Sequence, residues 1–291
     1  MLNIRKILLP VDFPNSSLAV IRQAAALARH FQSEIVILHC VTPRSHAAGV
    51  PEDSATLAGW DLLEEIVGRA REKGNRTLGA ELDGLTIRWV LAKGEPAHTI
   101  GQAAEREKAD LIMIPSYGFT FDRFLLGSVT PKVLLGKECP LWTCAQAEEP
   151  SARDFAIQNV LCAVDYSSHI RKTVSWALEM ASEFGARLTL AGVTAGVKFW
   201  GPGGESVGTK WKAALVSDAA RHIADIQRDM GIETDTFIGS GDVPAVLSDA
   251  AKKTSADLLV IGCRPYGVSL RTHGYAIIRG ARIPVLSVGG P

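Results

Sequence analysis

The residues whose types and spacing could do chemistry lie between Asp110 and Cys144, in DLIMIPSYGFTFDRFLLGSVTPKVLLGKECPLWTC. An apolar run, Leu111 to Ile114, breaks into a loop holding Ser116, Tyr117 and Gly118. The chain restarts at Gly127-Ser128 as an amphipathic helix with apolar Val129, Val133 and Leu134, and a second apolar run follows from Pro140 to Cys144. A strand opening through a glycine-bearing loop into a helix N-terminus offers unpaired N–H groups and the positive end of a helix dipole. Both favour a phosphate or another anion. Ser128 also reads as a plain N-cap, a role worth roughly 1 kcal/mol. The two roles use the same free amides and are compatible.

The stretch occurs twice. From Asp257 the chain reads DLLVIGCRPYGVSLRTHGYAIIRGARIPVLSV, again strand, loop, helix and strand. Upstream, Lys6 to Val11 is an apolar run ending in Asp12, and Asn159 to Val164 repeats it with Asp165. Asp12 and Asp165 lie 153 positions apart and Asp110 and Asp257 lie 147 apart, a difference that loop length absorbs. The chain is an internal duplication. Each copy alternates strand and helix: an alanine-rich helix from Leu18 to Phe31 with Ile21, Ala25 and Ala28 on one stripe, a strand from Glu34 to Val41, and a helix over roughly Ser54 to Lys73. A strand from Leu85 to Leu91 and a helix opened by Gly94-Glu95-Pro96-Ala97 follow. In the second copy a glycine-rich loop spans Thr194 to Thr209, a long helix Lys210 to Met230, and Gly241-Asp242-Val243-Pro244-Ala245 opens the next helix. The pattern predicts two doubly wound parallel-sheet domains of five strands each, residues 1–146 and 158–291, with a polar, proline-bearing linker at 147–157. Ligands of such sheets sit beyond the carboxyl ends of the strands, where the strand order reverses.

Composition narrows the function. With 31 basic and 31 acidic residues and no basic run, neither nucleic acid nor an anionic membrane surface is an expected partner. No segment approaches the roughly 20 apolar residues of a spanning helix, and the short apolar run in MLNIRKILLPVD makes no signal peptide, so a cytoplasmic location is expected. The five cysteines sit mostly inside apolar runs and read as buried free thiols. No dinucleotide fingerprint, zinc-protease helix or nucleophile elbow is present. Gly136-Lys137 ends a helix rather than starting one, so it is no phosphate-binding Walker loop. The seven histidines form no cluster, and packing or surface roles are expected for them. No catalytic residue and no metal site are assigned, and the protein is not expected to be an enzyme.

The motifs Ile7-Leu8-Leu9-Pro10-Val11-Asp12-Phe13, Leu38-His39-Cys40-Val41, Gly94-Glu95-Pro96-Ala97 and Phe124-Leu125-Leu126-Gly127-Ser128-Val129 make the chain resemble the universal stress protein family in its tandem form. The resemblance covers essentially the whole chain. It implies an adenine-nucleotide α-hydrolase-like fold, and ATP bound in the N-terminal domain, with or without Mg2+. It implies that Asp12, at the end of the strand carrying Pro10 and Val11, meets the ribose or adenine and that Val41 contacts adenine. Ser116, Gly118, Gly127, Ser128 and the amide of Val129 would hold the phosphates. It further implies that the last strands of the two halves pair as an intrachain pseudo-dimer, with a homodimer open to it.

Two departures bear on this. Pro115 replaces the first loop glycine and offers no N–H, and eight residues rather than nine separate Gly118 from Gly127. In the second half Gly262 is kept, but Pro265 and Arg271-Thr272 replace the remaining loop signature. Binding in the family manner is therefore expected in the first half only. Two functions stay open: an adenine-nucleotide-binding stress-response sensor or regulator, and a nucleotide-independent scaffold for an unknown protein partner in which both loops are structural.

Overall fold

The computed structural model describes residues 2–11, 18–41, 72, 81–115, 129–136, 139–144, 155–196, 204–263 and 270–289; the side chains of residues 41, 135, 136, 204–208 and 270–273 are outside the description. In the first half the elements are β1 (Lys6–Val11), α1 (Leu18–Phe31), β2 (Glu34–Val41), β3 (Ile87–Lys93), α2 (Pro96–Glu107), β4 (Leu111–Pro115), α3 (Val129–Gly136) and β5 (Leu141–Cys144). The second half contributes β6 (Asn159–Val164), α4 (Ile170–Phe184), β7 (Arg187–Thr194), α5 (Gly204–Met230), β8 (Asp235–Ser240), α6 (Val243–Lys253), β9 (Leu258–Cys263), α7 (Leu270–Gly280) and β10 (Val285–Gly289). The helix expected over Ser54 to Lys73 and the linker core at 147–154 lie outside the described residues.

Apolar strand runs such as Ile7-Leu8-Leu9, with no exposed surface at all, need cover on both faces, and a parallel sheet under two helix layers supplies it. Each half has strand order 3-2-1-4-5, parallel throughout. The halves join through antiparallel β5 and β10 into one ten-stranded sheet ordered β3-β2-β1-β4-β5-β10-β9-β6-β7-β8. The edge pairing implied by the family resemblance is thus present within the chain. It removes the two strand edges that would otherwise template association. The exposed edges of the full sheet are β3 and β8.

One core runs across both halves. On the face covered by α1, α4 and α5, a single apolar cluster holds Ile21, Leu27 and Trp142 together with Val174, Ile223 and Val288. Trp142 is 1% exposed; its Nε1–H donates to Gln23 Oε1 at 2.8 Å, which also accepts from the Cys144 thiol at 2.9 Å. At the rim of that face His30 stacks on Phe184 at 4.3 Å and lies 3.2 Å from the Glu183 carboxylate. On the opposite face Leu134 of α3 packs against the apolar clusters of both halves.

Local signals explain most element boundaries. Glu95 and Asp242 cap α2 and α6 by accepting the backbone N–H of His98 and Ala245 at 3.0 and 3.2 Å, each with a proline in the first turn. Gly94 and Gly241 precede them at φ +148° and +139°, a region that favours glycine. A Cβ on Gly94 would stand 2.6 Å from Thr99 Oγ1. Two boundaries differ from expectation. β3 begins two residues later than Leu85, because Leu85 closes a turn onto Leu82 through its N–H. α5 begins at Gly204 rather than Lys210: once a long helix exists, extending it through a glycine costs only about 1 kcal/mol. The five cysteines are free. Burial pushes the Cys139 thiol up to about 12 and Cys263 to about 11, and Cys144 and Cys162 higher still, so none of these four is a ready nucleophile.

Candidate functional site

In each half the ladder between the first and fourth strands stops before either strand ends, leaving a gap between their carboxyl ends. β1 runs to Val11 and β4 to Pro115, yet their ladder contains only Ile7 with Leu111 and Leu8 with Ile112. β6 and β9 likewise pair only from Val160 with Leu258 to Cys162 with Val260 and then part. In both halves the splayed pair flanks the point where strand order reverses, the place where doubly wound sheets bind ligands. Pro10 lies beyond the last β1–β4 pair, where that ladder no longer calls for an N–H.

In the first half, α3 is anchored over the end of β4: the Thr130 hydroxyl, buried, donates to the Pro115 carbonyl at 3.3 Å. This places Val129, the first helical residue, beside the gap, immediately after Gly127-Ser128 in sequence. Its first-turn N–H groups have no partner within the helix. Lys132 reaches away from the gap; its ammonium sits 2.8 Å from Glu95 Oε1 and, with the His98 amide, holds that carboxyl below its ordinary range. Of the nucleotide contacts implied by the resemblance, Pro10 and Val11 end β1 beyond its last pair with β4, and Val129 opens α3. Val41 ends β2 two strands from β4, with its side chain undescribed. Asp12, Ser116, Gly118, Gly127 and Ser128 lie outside the described residues.

The second gap is described more fully. It encloses about 190 Å³, with Asp165, Tyr166, Val193, His222, Val243 and Gly262 among its lining; that is smaller than the roughly 300 Å³ at which small-molecule sites begin. The Asp165 carboxylate accepts the Ser167 N–H at 3.0 Å, an Asx turn. Tyr166, 66% exposed, stacks on His222 with centroids 4.2 Å apart and donates its hydroxyl to Asp218 at 3.0 Å. Partial burial, then the hydrogen bond and charge of Asp218, raise that phenol above its usual range. The described lining includes no lysine or arginine, and side chains 270–273, Arg271 with them, lie outside the description. Gly262 has a packing reason of its own, since a Cβ there would meet Thr173 Oγ1 at 2.9 Å. Among the described residues no group of histidine, cysteine or carboxylate side chains is placed to hold a metal ion.

Sequence reasoning missed His39 and His222 as parts of these gaps. Each contacts the main chain at the carboxyl end of its half's first strand. The only signal was their proximity in sequence or fold to Asp12 and Asp165, which a packing role predicts equally well.

Two five-stranded, doubly wound units fused edge to edge define a tandem α/β protein. The pattern of the Universal stress protein family matches residues 3–144 and again 156–289. A universal stress protein of Methanocaldococcus jannaschii is 32% identical over 143 residues, 47% of this chain and 79% of its own length. One of Bacillus subtilis is 30% identical over 47% of this chain and 95% of its own length. Among solved structures, a universal stress protein from Archaeoglobus fulgidus superposes with a TM-score of 0.70 at 19% identity, covering 99% of this chain and 97% of the other. The chain belongs to the universal stress protein family, with two copies of the family unit. Among its described residues no helix is long and apolar enough to cross a membrane.

Proposed function

We propose that the first half binds an adenine nucleotide, ATP with Mg2+, and that the protein is a cytoplasmic stress-response sensor or regulator rather than an enzyme. The observation that carries this is the anchoring of α3: Thr130 ties its first turn to the Pro115 carbonyl, directly after Gly127-Ser128, over the gap where β1 and β4 part. Free helix amides and the dipole there favour phosphate. In Gly127 and Ser128 the first half keeps small residues that let a phosphate approach the backbone. The sequence supplies no clear general base, so hydrolysis is expected to be slow and incidental.

A second reading has its own support in Pro115, which ends β4 without an N–H to offer a phosphate. In it the two halves form a scaffold for another protein. Isothermal calorimetry with Mg-ATP separates the two, on the wild type and on Gly127→Glu checked for unchanged circular dichroism. One site per chain, lost in the variant, is the expected result. Two sites would place a nucleotide in the second gap as well. Absence of binding heat and of thermal stabilisation by ATP would leave the scaffold.

A further inference from the structure

Each half ties one imidazole to the chain at the end of its first strand or just past it, and the two imidazoles come from different elements. In the first half Nδ1 of His39, on β2, lies 3.0 Å from the carbonyl oxygen of Val11. A carbonyl only accepts, so Nδ1 carries the proton. β1 and β2 pair Val11 with His39, so the bond closes the last rung of that ladder. In the second half the residue 153 positions on from His39 is Gly192. A Cβ there would stand 3.3 Å from Ile223 Cδ1 and 3.7 Å from Ala219 Cβ, so α5 lies too close over β7 for an imidazole. His222, on α5 itself, brings an imidazole one residue further on: its Nε2 lies 3.0 Å from the carbonyl of Asp165, the residue after Val164, which matches Val11, and Tyr166 stacks against the ring.

We propose that His39 is a positioning residue of the first-half nucleotide site. This rests on the nucleotide reading above. Beyond Leu8, β1 has lost β4 as a partner, and Pro10 has no N–H to give any neighbour. The end of the strand is therefore held from one side, by β2. The Val11 carbonyl belongs to the rigid peptide that leads into Asp12, so the imidazole fixes the direction in which β1 leaves the sheet. That direction sets the geometry of the residues the resemblance puts against ribose and adenine. A site loses affinity when such geometry loosens, because its contacts must then be ordered on binding. The second half also ties an imidazole to the chain beside the end of its first strand, one residue further on, although the original position has become glycine. A packing role for His39 alone does not account for an imidazole brought there from another element.

The test uses the full chain and Mg-ATP. His39→Leu keeps comparable bulk and removes the donor; His39→Asn places an amide nitrogen where Nδ1 stood. The dissociation constant for Mg-ATP is expected to rise about tenfold in His39→Leu, the scale of one hydrogen bond, and to return to within about threefold of wild type in His39→Asn. Wild-type affinity in His39→Leu overturns the inference, as does an Asn variant as weak as the Leu variant. A wild type that binds no ATP defeats the nucleotide reading itself, which is a separable result. If His39→Leu fails to fold, the 15N shifts of the wild-type His39 ring decide: protonation at Nδ1 is expected, and the Nε2–H tautomer overturns the proposal.

Discussion

At the amino ends of the strands the two halves use the same residue in the same way. Asp110 Oδ2 accepts the backbone N–H groups of Arg5 and Lys6, each at 2.9 Å; Asp257 Oδ2 accepts those of Gln158 and Asn159 at 2.8 and 2.9 Å. Each aspartate enters the fourth strand of its half and staples the start of the first. At the carboxyl ends the halves diverge. His39 and His222 reach the strand end from different elements, Pro115 stands opposite Gly262, and Gly127-Ser128 stands opposite Arg271-Thr272. The end that only has to hold the sheet together has kept its chemistry, whereas the end where sheets of this kind take ligands has changed. That difference is the physical basis for assigning nucleotide binding to one half.

The seam between the halves gives the largest expected effect. Trp142→Ala should cost about 3–5 kcal/mol, from the loss of a fully buried ring and of the hydrogen bond its Nε1–H gives Gln23. Because one apolar cluster spans both halves, urea denaturation should show a single transition, shifted as a whole in the variant. Two separate transitions in the wild type would mean that the halves are energetically independent and that the comparison must be made between two proteins.

Next come the matched staples. Asp110→Ala and Asp257→Ala should each lose about 2–3 kcal/mol, since each removes a charged acceptor shared by two backbone donors. Near-equal losses in thermal denaturation are expected. A staple that matters in one half only would break the symmetry claimed for the amino ends.

A smaller difference is expected at the glycines before α2 and α6. Both have positive φ, but a Cβ on Gly94 would press on Thr99 Oγ1 at 2.6 Å, whereas on Gly241 its nearest neighbour is Val246 Cγ2 at 3.6 Å. Gly94→Ala should therefore lose more than Gly241→Ala, about 2 against about 1 kcal/mol. Equal losses would show that backbone strain alone decides.

The smallest effect concerns pH and belongs to the first half. Arg88 on edge strand β3 donates to Glu34 Oε1 at 2.8 Å and to Glu107 Oε2 at 2.5 Å, and these hydrogen bonds hold both carboxyls below their ordinary value of 4.5. A carboxyl whose folded pKa is depressed stabilises the fold above its unfolded value and stops doing so as pH falls through its folded one. Arg88 is 42% exposed, so solvent screens the network, and each pair is worth under about 1 kcal/mol. Arg88→Gln should be slightly less stable than wild type at pH 7, and the gap should close as pH falls below 4.5. A gap that persists at low pH would mean that Arg88 acts by packing.

The fold was legible from sequence because its signals are local and repeated. Apolar runs flanked by Asp12 and Asp165, two Gly-acid-Pro helix starts, and the 153- and 147-residue offsets gave strands, helices and duplication without a contact map. The stripe of Ile21, Ala25 and Ala28 is buried on α1 as its spacing requires. Residue types at the candidate site could be read only as candidates, since glycine and serine after an apolar strand serve a helix cap or close packing as well as a phosphate. The roles of Asp110 and Asp257 were not legible, although both marked the repeat. Their partners lie 104 and 98 positions away on strands that only the sheet order brings alongside.

By itself, then, the sequence determined two doubly wound units and which half keeps Gly127-Ser128 after its fourth strand. Those properties depend on side-chain period, turn chemistry and helix capping, each written within a few positions of where it acts. The tertiary structure decided that β5 and β10 fuse the units into one sheet, that a single core spans them, and that His39 and His222 bring an imidazole to the end of the first strand or just past it from unlike elements. Each of those depends on the distance between segments far apart in the chain, and a histidine that clamps a strand end reads in sequence the same as one that merely packs.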